Sequence, residues 1–156
     1  MSTPYDTIED AISTALLAEG TPFKNVFTYG AALADSELVT QIEKLANANV
    51  APAAIVFYAG GSSNEGFAHE LDEAAVFTVL VVAAARSFES ATQGGTQDKG
   101  IFALLTWCRQ AMHDLRNASV LNELIWKGNR RFAIPGLPLT VAAYAADFET
   151  RIAYGD

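Results

Sequence analysis

Apolar and polar positions follow different rhythms along this chain, and the changes of rhythm mark its elements. Ile8, Ile12, Ala15 and Leu16 recur at i, i+4, i+7 and i+8, the spacing of one helix face. Asp6 followed by Glu9 has capping-box spacing, with Asp in place of Ser or Thr, so a first helix is predicted to start at Asp6 and end near Gly20. Val26, Phe27 and Tyr29 form a short β-prone run over residues 25–29, closed by Gly30. A second helix is capped by Asp35 or Ser36, carries Leu38, Ile42 and Leu45 on one stripe, and ends by Asn49, ahead of Pro52.

Two later segments lose alternation altogether. Residues 53–59 (AAIVFYA) and 75–85 (AVFTVLVVAAA) are apolar on both sides, the pattern of central strands covered on both faces, and they are expected to pair with each other. Residues 60–73, rich in Gly, Ser and acids, read as a loop, and so do residues 87–100, whose only large apolar side chain is Phe88 and which include Gly94 and Gly95. Between that second loop and the C-terminal third, Ile101, Leu104, Leu105, Cys108, Met112 and Leu115 fall on a single 3.6-residue stripe and predict a third helix.

The remainder is strand-like. Residues 123–126 and 131–134 are predicted as strands joined by a turn at Gly128 and Asn129, followed by a Pro135-Gly136-Leu137-Pro138 corner. A long strand over residues 139–154 follows. Its first half is apolar on both faces. From Tyr144 onward, Ala146, Phe148, Ile152 and Tyr154 alternate with Asp147, Glu149 and Arg151, one face dry and one wet. It is long enough to outreach its neighbours, and a protruding edge invites pairing with another chain. The elements together predict an α+β fold: a small mixed, mostly antiparallel sheet flanked by about three helices, with residues 1–156 as one domain.

Charge changes this picture in one respect. The 156 residues hold 18 acids and 10 bases, a net charge of -8, which disfavours a nucleic-acid grip built on clustered Lys and Arg. Residues 1–75 contain 11 acids and 2 bases, net -9, whereas residues 76–156 contain 7 acids and 8 bases, net +1. One acidic face is the functional reading of this asymmetry; solvated outer faces of the first two helices are the plain one. The single cysteine, Cys108, offers no internal disulfide, and the N-terminal residues lack the pattern of a secretory signal. A cytoplasmic origin without a membrane span is expected.

The candidates for chemistry are weak. Cys108 and His113 stand five residues apart, roughly 140° around a helix axis, and cannot form a dyad. The His69-Glu70-Leu71-Asp72-Glu73 segment has metal-compatible groups without the second His of an HExxH helix. Gly60-Gly61-Ser62-Ser63 lacks the Lys of a phosphate loop and reads as a sharp exit from the sheet. Asp147 and Glu149 share a strand face as an acid–base pair would, yet read better as solvated strand charges. No enzyme, metal or cofactor is expected. Lys127, Arg130 and Arg131, beside Trp126 and Phe132, form the one basic cluster and suit docking onto an acidic neighbouring subunit.

The order of elements and several phrases resemble the Mu-like phage and prophage tail proteins known as tail terminator or tail completion proteins. The phrases are IEDAISTALL, VFTYG, PAAIVFYAGG, FTVLVVAAARSFE, GIFALLTWCRQAM and VAAYAADFETRI, and they run through most of the chain. The resemblance implies a tail-terminator-like fold and a homohexameric ring that caps the tail tube and joins it to the head connector, in a virion tail assembled in the host cytoplasm. DNA would pass the lumen without specific binding. No catalytic residue transfers. As contact candidates the sequence offers Phe88, Gly94 and Gly95 in the glycine-rich loop, Lys127, Arg130 and Arg131 in the basic cluster, and Asp147, Glu149 and Arg151 on the long strand. The alternatives are another head–tail connector or neck protein, such as a stopper or completion protein, and a small ligand-binding module or enzyme.

Overall fold

The computed structural model describes residues 3–28, 40–42, 44, 51–63, 73–84, 100–118, 124–131 and 141–152. These comprise α1 (Pro4–Leu16), β1 (Asn25–Thr28), β2 (Ala53–Ser63), β3 (Glu73–Ala84), α2 (Ile101–Ala118), β4 (Ile125–Arg131) and β5 (Val141–Ile152), with a third helical segment at residues 40–42 and 44. The strands form one sheet in the order β1-β2-β3-β5-β4. β1 is parallel to β2 and the other three pairings are antiparallel, so the fold is α+β with a mixed, mostly antiparallel sheet.

α1 starts one turn earlier than its pattern suggests. Thr3 is the N-cap: its hydroxyl accepts the Asp6 N–H at 3.2 Å, and the Asp6 carboxylate accepts the Thr3 N–H at 3.1 Å. Asp6 is therefore the last residue of the capping box rather than its first, and Pro4 fits the first turn, where no N–H is needed. Glu9 is released from capping and lies 3% exposed, its Oε1 accepting the Tyr58 N–H from β2 at 3.0 Å. At the other end, the Leu16 carbonyl accepts from the Thr21 hydroxyl at 2.6 Å and from Trp107 Nε1 of α2 at 3.0 Å, satisfying a carbonyl that the helix leaves open.

α1 and α2 cover one face of the sheet. Ile8, Ile12 and Leu16 of α1 and Leu104, Cys108 and Met112 of α2 bury against Val56, Phe77, Val79 and Phe148. On the other face a smaller cluster gathers Ile42 from the third helical segment with Ile55, Phe57, Leu80, Val82 and Ala145. β2 and β3 thus bury residues on both faces, and they pair, as their unbroken apolar runs predict.

Three strand expectations are corrected. The long C-terminal strand is not an edge. β5 pairs with β3 along all its described length, from Glu73↔Ile152 to Ala84↔Val141, so it does not outreach β3, while on its other side it extends past β4, whose pairing covers only Tyr144 to Glu149. Residues 139, 140, 153 and 154 lie outside the described residues. Second, β2 does not leave the sheet at Gly60 but continues to Ser63, paired with β3 as far as Ser63↔Glu73. Third, the Gly128-Asn129 turn is not a turn: β4 runs through it as one strand. Both errors at glycine have the same cause. Each glycine sits at a register shift, Tyr58/Gly60 and Trp126/Gly128, with φ of +131° and +147°. Only glycine adopts such values freely, so it marks a β-bulge inside a strand here instead of a strand end.

Candidate interaction surface

Beyond the Ile42 cluster the second sheet face opens into a shallow groove of about 450 Å³, lined by Gly60, Ser62, Val76, Lys127, Arg130 and Glu149 among others. The two bulged strands form its sides and β3 and β5 its floor. Alternation along β5 aims Asp147, Glu149 and Arg151 to this face, while Ala146, Phe148 and Ile152 bury toward the helices. The wet and dry sides of that strand are as its pattern predicts.

Asp147 is not simply solvated. Its side chain is 19% exposed, its Oδ1 accepts the hydroxyl of fully buried Thr78 at 2.6 Å, and Arg130 pairs with it from β4 at 2.9 Å. The carboxylate is committed to structure on two sides, which removes it from the acid–base pair with Glu149 that their shared face suggests. The basic cluster also divides. Lys127 and Arg130 line the groove, whereas Arg131, opposite Tyr144 in the register and next to Arg130 in the chain, points to the other face.

The edge formed by β4 is exposed along its length, including Ile125 at 47% and Trp126 at 40%. Trp126 is held from both ends. The Arg109 guanidinium of α2 lies 4.1 Å above its ring, and its Nε1 donates to Asn129 Oδ1 at 3.1 Å. At the opposite edge of the sheet β1 exposes Phe27, at 45%. Exposed aromatic and β-branched side chains on edge strands are the usual material of an association surface.

Away from the groove, the helix-covered face carries a polar cluster that couples three elements. Tyr5 of α1 donates to Glu73 Oε1 at 2.5 Å, Tyr58 of β2 donates to Glu73 Oε2, and the two tyrosine rings lie 4.6 Å apart. Gly61 makes room for that carboxylate, since a Cβ at Gly61 would lie 1.7 Å from Glu73 Oε2.

Of the residues singled out from sequence, Phe88, Gly94, Gly95 and His69 lie outside the described residues. Cys108 is buried on the apolar stripe of α2, with its thiol pKa pushed up by burial, whereas His113 is exposed; the two do not meet. Among the described residues no three His, Cys, Asp or Glu side chains are placed to hold a metal ion, and no helix is long and apolar enough to cross a membrane. Sequence reasoning missed Thr78, Ile125, Phe27 and Arg109. Only Thr78 left a signal, as the sole polar residue in AVFTVLVVAAA. Exposure of the other three depends on which strands become edges. No protein-family model matches this sequence, and comparison with curated proteins finds no match.

Proposed function

We propose that the protein is a structural virion component, a tail terminator that assembles as a ring, caps the tail tube and joins it to the head connector. The observation that carries this reading is the pair of unlike edges. A ring needs two different patches per subunit for a head-to-tail contact. The sheet ends in β1, with exposed Phe27, on one side and β4, with exposed Ile125 and Trp126, on the other. The resemblance of the sequence to tail terminator proteins, noted above, supports the same role, with self, tube protein and connector as partners. A chain of net charge -8 gives DNA passing through such a ring little to hold.

The reading is tested by electron microscopy of phage particles and isolated tails carrying a tagged copy of the chain. The tag is expected as a ring at the head-proximal end of the tube. A tag on the head side of the joint would replace the terminator with another connector, and its absence from particles would overturn a virion role.

A further inference from the structure

The two edges differ in charge as well as in sequence. β4 (IWKGNRR) has three bases and no acid. Counted with its partner β5, the described residues of that side hold four bases, Lys127, Arg130, Arg131 and Arg151, against two acids, Asp147 and Glu149. At the other side, residues 3–28 hold four acids, Asp6, Glu9, Asp10 and Glu19, against Lys24. Glu9 is buried, and Glu19, just past the helix, lines the groove between the two helices beside Trp107 and Asp114, but Asp10 is exposed on α1, which contains no base at all. α1 packs over β1 and β2, while α2 packs over β3 and β5. β1, which the acidic helix covers together with β2, and the basic edge β4 are therefore at opposite ends of a five-strand sheet, about 19 Å apart at roughly 4.8 Å per strand step.

We infer that the basic β4 edge, anchored by Ile125 and Trp126, docks on the α1–β1 side of a second copy of this chain. This deepens, and rests on, the ring reading given above. The charge pattern selects the mode. A symmetric β4–β4 contact would set Lys127 and Arg131 of one copy against the same two bases of the other, Arg130 being paired with Asp147, and like charges across an interface oppose association. A β4-to-α1 contact sets bases against acids and repeats in one direction, because each copy still presents the other patch. Trp126 is stiffened in advance by Arg109 and Asn129, which lowers the ordering cost of using it as an anchor.

A charge-exchange experiment tests the assignment. One variant carries Lys127→Glu and Arg131→Glu on β4, the other Asp10→Lys on α1; none of these three side chains is part of the buried core. Native mass spectrometry and sedimentation velocity read the assembly state, and thermal melting checks that each variant folds. Wild type is expected to assemble, most readily at low salt; each variant alone is expected to stay monomeric; the mixture is expected to recover assemblies with the two variants alternating. If wild type assembles and either variant assembles as well as it does, or the folded variants fail to rescue each other, the docking mode is wrong while the ring stands. If wild type remains monomeric throughout, the ring and the docking mode fall together. Should a reversed variant fail to fold, Lys127→Gln with Arg131→Gln takes its place: weakened assembly with a reduced salt dependence supports the contact, and wild-type assembly refutes it.

Discussion

Arg130 grips Asp147 with two hydrogen bonds, Nε to Oδ2 at 2.9 Å and Nη2 to Oδ1 at 3.2 Å, although its direct cross-strand partner is Ala145. The diagonal reach leaves Asp147 Oδ1 shared between the exposed guanidinium and the buried Thr78 hydroxyl. The two sides of this arrangement are unequal. Arg130→Ala removes an ion pair whose cation is 55% exposed and is expected to cost less than about 1 kcal/mol. Asp147→Ala takes the acceptor from a fully buried hydroxyl and is expected to cost about 1–3 kcal/mol. Urea denaturation of both variants checks the order.

Gly61 and Glu73 give a second test, through their coupling. Gly61→Ala forces the Glu73 carboxylate away from Tyr5 and Tyr58, with Cδ only 2.5 Å and Cγ 2.7 Å from the new methyl. A loss of about 1–3 kcal/mol is expected, the size of two disrupted part-buried hydrogen bonds. In a Glu73→Ala background the same Gly61→Ala change is expected to be nearly silent. A double-mutant cycle by chemical denaturation measures the difference, and additive losses would show that the methyl acts elsewhere.

Along α2, burial and exposure separate by position. Leu104 is fully buried and Leu105 is 7% exposed, so truncating either to Ala is expected to cost about 2–5 kcal/mol. Phe102, at 52% exposure on the same helix, is expected to change stability by no more than about 0.5 kcal/mol when replaced by Ala. Melting temperatures of the three variants make the comparison, and an undiminished value for Leu104→Ala would contradict the packing of α2 on the sheet.

Asp6 supplies a pH prediction. Its carboxyl is held below the ordinary value of 3.8, chiefly by the Thr3 backbone N–H and next by the Thr3 hydroxyl. A depressed carboxylate pKa stabilises the fold above the unfolded value, and that contribution is lost as pH falls through the folded value. The start of α1 is therefore expected to loosen only in acid below the usual carboxylate range. Thr3→Ala keeps the backbone donor and removes the hydroxyl, so the Asp6 pKa is expected to rise part of the way back. Carboxyl chemical shifts across an acid titration measure both.

The parts of this fold legible in the sequence are those set by local rhythm. The helix stripe from Ile101 to Met112, the doubly apolar runs of β2 and β3 and the alternation of Phe148 and Ile152 against Asp147 and Glu149 each report a burial pattern that needs no knowledge of neighbours. What was not legible depended on partners far away in the chain. Nothing within residues 139–154 reveals that β3 runs beside β5 for twelve residue pairs and that β4 closes its other side. Gly60 and Gly128 carry the composition of turns, and only the pairing strands show that they are bulges. The candidate surface was half visible for the same reason: Lys127, Arg130, Asp147 and Glu149 stand out by charge and Trp126 as the aromatic beside them, whereas Ile125 becomes conspicuous only once β4 is an edge.

The assembly state of the chain in solution tests the central claim most directly. Sedimentation velocity of the wild-type protein across a wide range of concentration, at low salt, is expected to show the 16.6 kDa chain giving way to a closed assembly of fixed size. A single monomeric species at every concentration would contradict it, as would symmetric dimers that grow no further.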